Sequence, residues 1–427
     1  LDQTKYYAEG RRLTSRYRPE NLTSYEYDVL GRLKKTTYAD GTFTTTNYDA
    51  VGKVTSSIDA LGNETSYTYD DTGRRLTLTN ALNQVTSFAY DSNGNQTLVT
   101  DALNHTTAFV YDVLDRRTRT NFADSSFTET IYDALGQKIT EKDQAGKETH
   151  FAYDSLGRLT KVTDALGQET RYEYNELGQQ TKQIDALNRV TTYEYDLLGR
   201  RTKRILPMGQ AETYSYSIQG NLQSRTDFNG KTTTFEYDHM RRLLSKTPDA
   251  SLNEPTVSFT YNDLGQRATM TDPSGTTSYV YDGRNRLSSK QTLFGTLSYT
   301  YSENGNLETL RSSNADGVSV DYDYDALNRL SSVRDNRLAG DQTTSYNYDA
   351  VGNLQGFTYP NQVTTNYHYN SLNRLTSMSS VSGSSTIGSY QYTLGASGKR
   401  TQVAEFGGRT VSYAYDDLYR LTSETIA

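Results

Sequence analysis

Tyrosine residues recur along the chain at a fixed spacing, usually followed by aspartate. We call each of them an anchor: from Tyr27 to Tyr237, the anchors follow one another every 21 residues. Beyond Tyr237 they continue to Tyr415 with spacings between 20 and 24 residues, and a degenerate copy at Tyr7 precedes the first. Self-similarity at a fixed period is typical of repeat proteins, so we predict an array of about twenty similar units.

The residues just before each anchor alternate as in a β-strand. Threonine lies four residues before the anchor in every regular copy except one, which has Glu212, and the residue two before it is aromatic except at Thr46 and Thr130. Side chains two apart on a strand share a face, and Thr, Tyr and Phe favour a pleated, half-buried surface. Each copy is therefore predicted to contain a strand with one aromatic face. The two exceptional copies carry Phe43 and Phe127, which we interpret as a relocated aromatic residue.

Two turns follow each anchor. The first has the form Asp-x-Leu-Gly, as in Asp154 to Gly157, and the second falls eleven to fourteen residues after the anchor, as in Asp164 to Gly167. The final glycine suits a positive φ, and the aspartate can accept backbone N–H groups, so its carboxylate has a structural task. Two turns per period predict two antiparallel strands per period.

The predicted fold is all-β: an antiparallel meander of about 40 short strands, built from about 20 hairpins without helices. Open sheets of more than about ten strands do not stay flat, so the sheet is predicted to coil as a single-layer spiral shell. We divide the chain into regular repeats over residues 1–240 and irregular repeats of the same shell over residues 241–427, incomplete at both ends. The predicted structural residues are an anchor, the aspartate after it and the turn glycine, represented by Tyr27, Asp28, Gly31, Tyr69, Asp70, Gly73, Tyr153, Asp154, Gly157, Tyr195, Asp196 and Gly199.

Composition supports an ordered chain with little conventional core. Only 34% of the residues are hydrophobic, and 37 of these are tyrosine, while Cys and Trp are absent. This is too little aliphatic material to fill two compact globules, yet so many aromatic residues at modest net charge are the opposite of a disorder profile. No stretch approaches the ~20 apolar residues of a membrane helix.

Charge and the N-terminus restrict partners and location. The net charge of −7 excludes a generally basic nucleic-acid binder. Two local basic groups could still bind a nucleic acid. We favour the interpretation that these side chains lie on solvent-exposed strands, and we predict no nucleic-acid partner. They are Arg11, Arg12, Arg16 and Arg18, and Arg200, Arg201, Lys203 and Arg204. Because the chain lacks an initiator Met and a secretory signal, we expect it to be part of something longer, with any targeting signal outside it.

Catalytic chemistry is not indicated. The four histidines, His105, His150, His239 and His368, lie in different copies at different phases, and the turn aspartates recur in every period, whereas a catalytic pair would appear once. Calcium binding by stacked aspartate turns is an open alternative, although the Gly-Gly-x-Gly-x-Asp spacing is missing. We therefore predict no enzyme activity and no catalytic, cofactor-binding or metal-binding residues.

The repeat resembles a known family. Tyr153 to Thr160 and Thr163 to Tyr174 are similar to the YD repeat of the Rhs family, and the resemblance covers essentially the whole chain. It implies a spiralling β-sheet shell, as in bacterial Rhs effectors, the B and C components of Tc toxins and animal teneurins. In the bacterial members the shell encloses a C-terminal toxin, which is cleaved from it and held until delivery. Asp272 to Gly275 superficially fits the cleavage motif of such shells, but it occupies an ordinary second-turn position.

Two functional hypotheses follow. The first is a structural shell segment of a secreted bacterial toxin, with three implied partners: the remainder of the same shell, an enclosed toxin polypeptide and possibly a secretion or injection apparatus. The second is a cell-surface adhesin or carbohydrate-binding wall protein, since aromatic faces also stack on sugars. Under the first hypothesis, the tyrosine face serves either cross-strand packing alone or contact with the guest as well.

Overall fold

The computed structural model describes residues 3–7, 10, 12–16 and 21–427. They form a single sheet of 40 strands, in which each strand pairs antiparallel with the next along the chain. This confirms the predicted all-β fold.

The strands lie in two groups, separated by one short 3-10 helix. The first group comprises β1 Gln3–Tyr6, β2 Arg12–Arg16, β3 Leu22–Tyr27, β4 Leu33–Thr37, β5 Phe43–Tyr48, β6 Val54–Ile58, β7 Glu64–Tyr69, β8 Arg75–Thr79, β9 Val85–Tyr90, β10 Gln96–Thr100, β11 Thr106–Tyr111, β12 Arg117–Asn121, β13 Phe127–Tyr132, β14 Lys138–Lys142, β15 Glu148–Tyr153, β16 Leu159–Thr163, β17 Glu169–Tyr174, β18 Gln180–Ile184, β19 Val190–Tyr195, β20 Arg201–Ile205, β21 Ala211–Tyr216, β22 Leu222–Thr226, β23 Thr232–Tyr237 and β24 Leu243–Thr247. The second group comprises β25 Val257–Tyr261, β26 Arg267–Asp272, β27 Gly275–Tyr281, β28 Leu287–Thr292, β29 Gly295–Tyr301, β30 Leu307–Ser312, β31 Ser319–Tyr324, β32 Leu330–Asp335, β33 Thr343–Tyr348, β34 Leu354–Thr358, β35 Val363–Tyr369, β36 Leu375–Ser382, β37 Ser385–Leu394, β38 Arg400–Glu405, β39 Thr410–Tyr415 and β40 Leu421–Ile426.

Each repeat is one hairpin and the turn that leads to the next. We call the turn after an anchor the anchor turn and the turn between hairpins the return turn. In the anchor turn after β15, the Gly157 amide donates to the Asp154 carbonyl at 3.0 Å, and the Asp154 amide donates to the Arg158 carbonyl at 3.0 Å. Gly157 has a φ of +79°, in the left-handed region that glycine adopts without strain.

A β-bulge accompanies the anchor, and the sequence did not reveal it. In the hairpin of β15 and β16, Ala152 pairs with Lys161 but Tyr153 pairs with Leu159, which leaves Thr160 as an extra residue. The same shift precedes the anchor of the other described hairpins, including β3 with β4 and β39 with β40. Because a bulge bends the strand and increases its twist, repeating it at every anchor coils the ribbon.

Two anchor assignments are corrected by the pairing. Tyr6, not Tyr7, pairs across the bulge with Arg12, and the Gly10 amide donates to the Tyr7 carbonyl as an anchor-turn glycine does. Tyr6 lies 21 residues before Tyr27, so the regular spacing extends one copy further. In β37 the anchor position is filled by Leu394 instead of Tyr392. The register shift lies between Thr393 and Leu394, and the turn from Gly395 to Gly398 comes directly after Leu394.

The prediction of no helices was wrong at one place. Ala250–Leu252 forms a 3-10 helix in the return turn where the 21-residue spacing first breaks. The Asp249 side chain accepts a hydrogen bond from the Ser251 amide, and Asn253 ends the helix with a φ of +53°. Capping residues in a lengthened turn explain this short helix.

The sheet has almost no dry interior. Among the described residues, the hydrophobic side chains that count as buried are Val403 and Val411, which are 5% and 3% exposed. The accessible surface is 25100 Å² for a chain of 48.0 kDa. A compact monomer of that mass exposes about 16,500 Å². The molecule is therefore a thin wall with both faces accessible.

The ribbon returns on itself. Arg284 contacts Asp40, and Asn304 contacts Asp59, so residues 244 and 245 positions apart lie side by side. We call β1–β24 the first winding, β25–β40 the second winding and the line of contact between them the seam. The single-layer sheet is thus coiled and open, as predicted for a spiral shell.

Candidate functional site

The anchor-turn carboxylate organises the turn. Asp154 Oδ1 accepts hydrogen bonds from the amides of Leu156 at 2.9 Å and Arg158 at 3.0 Å, and Oδ2 accepts one from Arg158 Nε at 2.7 Å. The Arg158 amide and side chain hold the pKa of Asp154 below its usual value, although burial acts in the opposite direction. Both carboxylate oxygens are engaged, so the aspartate is a part of the turn.

The predicted structural residues occupy equivalent places in four separate hairpins, and the structure does not bring the four sets together. Each glycine has positive φ: +81° at Gly31, +83° at Gly73, +79° at Gly157 and +78° at Gly199. The aspartates accept the same pair of backbone amides, two and four residues on: Asp28, Asp70, Asp154 and Asp196. Their anchors, Tyr27, Tyr69, Tyr153 and Tyr195, each end the first strand of a hairpin.

An arginine joins each such turn to the next, in an arrangement we call the arginine latch. Arg158 Nη1 donates to the Asn175 carbonyl at 3.0 Å, and its guanidinium carbon lies 5.0 Å from the ring centroid of Tyr174. The guanidinium therefore bonds its own turn and the next one while it caps an anchor ring. The same three contacts are made by Arg32, Arg74, Arg116, Arg200, Arg242, Arg286 and Arg329.

The latch reveals a longer period that the sequence reading missed. In the first winding the latch arginines recur every 42 residues, and the equivalent positions between them carry other residues: Lys53, Asn95, Gln137, Gln179 and Asn221. The signal was present five residues after each anchor, where arginine alternates with another residue. The structural unit of the anchor-turn edge is therefore two hairpins.

The anchor hydroxyl bonds the neighbouring strand. Tyr153 Oη donates to the Lys138 carbonyl at 2.9 Å, at the start of the preceding strand. Burial raises the pKa of several anchors, including Tyr174. The same bond to the preceding strand is made by Tyr48, Tyr69, Tyr111, Tyr132, Tyr174, Tyr195, Tyr216, Tyr261, Tyr281, Tyr301, Tyr324, Tyr348 and Tyr369. The tyrosine face is thus engaged in cross-strand packing.

The relocated aromatic residues, Phe43 and Phe127, lie on the face of the sheet opposite to that of the usual aromatic position. Phe43 lies opposite Thr37, which shares a face with Lys35, and the Lys35 ammonium lies 4.0 Å from the Phe43 ring centroid. At Phe127, the guanidinium carbon of Arg119 lies 3.6 Å from the ring centroid. Each ring is therefore covered by a cation from the preceding strand.

The one exception in the threonine column is a buried carboxylate paired with two partly exposed arginines. Glu212 is 1% exposed and pairs with Arg204 at 3.1 Å and Arg225 at 2.5 Å. Burial alone would raise the pKa of Glu212, but hydrogen bonds from Tyr214 and Arg225 and the two arginine charges outweigh it and lower the pKa. A carboxylate replaces threonine here because both neighbouring strands supply an arginine.

The described members of the basic groups considered for nucleic acid are engaged within the sheet. Arg200 is a latch arginine, Arg201 lies over Tyr214 at 5.3 Å, and Lys203 pairs with Glu194 at 3.5 Å. In the N-terminal group, Arg12 lies over the Tyr25 ring, while Arg11 and Arg18 lie outside the described residues, as does the Arg16 side chain. Among the described residues of these groups, the charges are thus engaged by neighbouring strands and turns.

The histidines are scattered. His105 Nδ1 lies 3.2 Å from Asp101 Oδ2 in a return turn, and His150 Nδ1 lies 3.1 Å from Thr140 Oγ1. In the part of the chain that the structure describes, no group of three or more His, Asp and Glu side chains is arranged to hold a metal ion. The same part contains no helix long and apolar enough to cross a membrane.

The seam joins two different edges. Return turns of the first winding meet anchor turns of the second: Asn304 Nδ2 donates to Asp59 Oδ2 at 2.6 Å, and Arg284 Nη1 to Asp40 Oδ2 at 3.3 Å. Near the end of the chain, Lys147 pairs with Asp417.

A tyrosine strengthens the same end of the seam. Tyr419 donates to Asp143, and burial together with this carboxylate raises the pKa of Tyr419 to about 12. Polar turn-to-turn contacts therefore hold the coil closed along its length.

Fold and seam together define a coiled β-sheet wall, and comparison of sequences identifies its family. The family described as Teneurin YD-shell matches residues 44–190, 120–293 and 179–343, which together span more than half of the chain. The family described as RHS Repeat matches residues 6–42 and 348–385. The chain belongs to the YD-shell family of RHS-type repeat proteins. No curated protein matches the sequence significantly.

Solved structures show the same fold at low sequence identity. The chain is similar to the structure described as TcdB2-TccC3-Cdc42, with a TM-score of 0.70 and 17% identity, over 100% of this chain and 29% of that one. The Photorhabdus luminescens Tc holotoxin pore with the TccC3-D651A mutation gives 0.69 and 17%, over 97% and 28%. TcdB2-TccC3 without its hypervariable C-terminal region gives 0.68 and 16%, over 99% and 28%. The chain thus spans less than a third of these neighbours.

Proposed function

We propose that the chain is a segment of the shell wall of an Rhs-type secreted bacterial toxin, which encloses and shields a toxic C-terminal domain until delivery. Its role is structural and needs no catalysis. Its partners are the remainder of the same shell, the enclosed toxin polypeptide and a secretion or injection apparatus.

One observation carries the proposal: the described residues form a continuous hydrogen-bonded sheet that coils until it contacts itself. Every strand from β2 to β39 has a partner on both sides, so the wall offers no unpaired strand edge between its two ends. A protease must bind its substrate in an extended, accessible form. A wall without local openings therefore excludes proteases and cellular targets from whatever lies behind it.

The competing hypothesis, a carbohydrate-binding surface, is less well supported. Stacking on a sugar requires an open aromatic face. The latch arginines lie over anchors such as Tyr48 and Tyr132, at 4.6 and 4.7 Å from the ring centroids. Many rings two residues before an anchor are covered in the same way, as Tyr67 is by Arg75 at 4.6 Å. Alternate anchor rings and several of the rings two residues before an anchor are therefore covered by the cations of the wall itself.

The test is limited proteolysis of the complete gene product that contains this chain. Containment predicts an internal C-terminal fragment that survives protease after exposed linkers are cut. The control is the same fragment expressed alone, which should be degraded. Absence of any protected fragment, together with retention of the intact protein on immobilised glycans, would overturn containment in favour of the adhesin.

A further inference from the structure

The tyrosine face of the sheet changes in character between the two windings. Residues directly opposite each other on paired strands share a face, so the strand register sorts the side chains into two sets. On the tyrosine face, the residue two before an anchor lies opposite one residue of the next strand, as Tyr322 lies opposite Val333. We call this opposite residue the facing residue. Its identity shows how apolar the tyrosine face is in each hairpin.

The facing residue is apolar in five consecutive hairpins, from β29 to β38, and lies opposite a tyrosine in each: Leu310, Val333, Phe357, Met378 and Val403. In the hairpins of the first winding from β3 to β24, the facing residue is polar or charged except at Leu78, Val99 and Val162. The polar and charged ones are Thr36, Ser57, Thr120, Glu141, Gln183, Arg204, Arg225 and Lys246. One part of the tyrosine face is therefore continuously apolar.

The residue opposite the anchor itself enlarges this apolar area. In the four hairpins from β29 to β36 it is leucine: Leu307, Leu330, Leu354 and Leu375. Six hairpins of the first winding have a polar or charged residue there: Arg75, Gln96, Arg117, Lys138, Gln180 and Arg201. We call the side chains of the four second-winding hairpins the apolar strip. It comprises Tyr299, Tyr322, Tyr346, Tyr367, Leu310, Val333, Phe357, Met378 and the four leucines, all of them half-buried.

The other face of the same strands is polar. The hydroxyl oxygens of Thr300 and Thr309 lie 2.7 Å apart, and Ser332 donates to Asp323 at 2.6 Å. Tyr322 and Asp323 are neighbours on one strand, so their side chains point to opposite faces. An antiparallel sheet with one polar and one apolar face is typical of a sheet whose apolar face is covered. The side chains of the strip are only half-buried within this chain, so the strip has room for a cover.

The seam shows how one part of the wall joins another. Its contacts connect turn residues, as in Asn304 with Asp59 and Lys147 with Asp417. Windings therefore join edge to edge, and this mode of assembly leaves the faces of the wall uncovered. A large apolar area turned towards bulk water is an aggregation hazard. The apolar strip is thus suited to the enclosed side of a wall, and the polar face to the outside.

The chemistry of the strip favours an unfolded polypeptide as its ligand. The strip has no charged residue, and the Phe357 ring centroid lies 5.9 Å from that of Tyr346 and 6.1 Å from that of Tyr367. Such a surface binds by removing apolar area from water, which is not directional and requires no particular sequence. A sugar needs hydrogen-bonding groups beside a stacked ring, whereas aliphatic side chains lie beside these rings. Folded domains bury most of their large apolar side chains, while an unfolded chain exposes them.

We propose that the tyrosine face is the inner face of the wall, and that the apolar strip binds apolar segments of the enclosed polypeptide while that polypeptide is unfolded. This inference rests on the proposed function, from which it takes the enclosed polypeptide. Contact with the strip competes with the hydrophobic collapse of the guest, and so favours its unfolded form. The first winding, with cations and polar residues between its rings, contributes less to this contact.

The first experiment places a photo-crosslinking amino acid, p-benzoylphenylalanine, at one of two neighbouring positions in the complete gene product. In place of Tyr322 the probe lies on the apolar strip, and in place of Asp323 it lies on the polar face of the same strand. After irradiation and limited proteolysis, the probe at position 322 should be crosslinked to the protected C-terminal fragment. The probe at position 323 should not be.

The outcomes separate this inference from the proposed function. A protected fragment that is crosslinked from neither position, or from position 323 as efficiently as from 322, overturns the inference and leaves containment intact. Absence of any protected fragment removes the proposed function, and the inference with it.

The second experiment measures binding of an unfolded probe to the 427-residue chain itself. The probe is fluorescently labelled, reduced and carboxymethylated α-lactalbumin, which stays unfolded, and binding is followed by fluorescence anisotropy. The strip variant is Leu310→Lys, Val333→Lys and Met378→Lys, at a repeat position where Lys246 and Lys290 occur naturally. The control variant has the same added charge at the equivalent positions of the first winding: Thr36→Lys, Thr120→Lys and Val162→Lys.

The wild-type chain and the control variant should bind the probe with similar affinity, and the strip variant should bind it at least about tenfold more weakly. Circular dichroism checks that both variants keep the sheet. A wild-type chain that does not bind the probe overturns the inference. So does a strip variant that binds the probe as tightly as the control variant.

Discussion

The two windings use the same hairpin but differ in their return turns. In the first winding the described return turns between β4 and β23 keep one form, as in Asp59 to Gly62 and Asp164 to Gly167. In the second winding they range from the tight turn at Asp272 to Gly275 to the longer segment between Asp335 and Thr343. Apart from Tyr7 to Gly10, which follows Tyr6, and Gly395 to Gly398, which follows Leu394, the described anchor turns keep an Asp, Asn or Ser that starts the same hydrogen-bonded turn.

Coverage by the second winding does not by itself explain this difference. The return turns that meet the second winding keep one form, but so do those that start at Asp185, Leu206 and Asp227, beyond the seam contact at Lys147. Every departure in return-turn length lies after Thr247. Anchor turns keep one form in both windings, where the latch links every second anchor turn to the next and the seam uses those of the second winding.

Acid should break both windings together, and this is the largest expected effect. The pKa values of turn aspartates in both windings, such as Asp154 and Asp325, are lowered in the folded state. An aspartate whose pKa is lower in the folded than in the unfolded state stabilises the fold at pH values above its unfolded pKa of about 4. This stabilisation is lost as the pH falls from there through the folded pKa. Circular dichroism should show cooperative unfolding below about pH 4.

A matched variant sharpens the acid prediction. Asp154→Asn keeps the acceptor oxygen for both turn amides, as Asn175 does in the next repeat. The free energy of unfolding of this variant should depend less on pH, because one titrating carboxylate has been removed. An unchanged pH slope would show that Asp154 is not titrating below its usual range.

Within the first winding, Glu212→Thr should be the most destabilising single change, although it restores the consensus of its column. It removes the charge-assisted hydrogen bonds to Arg204 and Arg225, whose side chains are partly exposed, and should cost roughly 1.5–3 kcal/mol of unfolding free energy. The control is Glu194→Thr, at an exposed ion pair with Lys203, with an expected cost below about 1 kcal/mol. Equal effects in urea denaturation would contradict the assigned role of Glu212.

Lengthening a return turn tests coverage directly. Two residues inserted after Ala60 should remove the hydrogen bonds between the Asp59 turn and Asn304 and lower stability by about 2 kcal/mol. The same insertion after Gly383, in a return turn of the second winding, should lower the free energy of unfolding by less than about 0.6 kcal/mol. Similar losses in thermal melting would mean that the seam does not constrain the first winding.

Gly157→Val tests the positive φ of the anchor turn. Valine in the left-handed region should destabilise the protein by at least ~1 kcal/mol. Gly157→Asn should be nearly neutral, because Asn104 and Asn188 hold φ values of +64° and +57° in return turns. An unchanged melting temperature for the valine variant would reject the turn assignment.

The latch should give the smallest effect. Arg158→Gln, which copies the alternate repeats with Gln137 and Gln179, should lower stability by about 0.5–1 kcal/mol. Gln179→Arg should recover part of this by capping the Tyr195 ring. If neither variant changes the urea midpoint, the 42-residue period has no energetic consequence.

The hairpin array could be predicted from the sequence because its determinants are local. Turn glycines with positive φ, turn aspartates and alternating aromatic positions each act within a few residues, and the coiled sheet follows from strand number. The 3-10 helix at Ala250–Leu252 was missed because its capping residues, Asp249 and Asn253, are also of the types that the repeat uses in its turns. The shift of one anchor from Tyr392 to Leu394 was missed because Tyr392 fits the sequence pattern better.

The seam and the latch could not be predicted because they depend on geometry beyond one repeat. Which turn meets which depends on the number of hairpins per winding, and that number follows from bulge and twist angles that the sequence does not state. The role of Glu212 was visible only as an exception, since pairing with Arg204 and Arg225 requires the register of three strands.

Zero-length carbodiimide crosslinking of the monomeric chain tests the central claim most directly. The seam predicts an amide bond between Lys147 and Asp417, which are 270 residues apart in sequence, identified by mass spectrometry in the single-chain fraction. Lys161 with Glu169, a pair at 2.8 Å on adjacent strands, serves as the internal control. Recovery of both bonds supports a ribbon coiled so that its second winding contacts its first. Recovery of the control bond alone would contradict it.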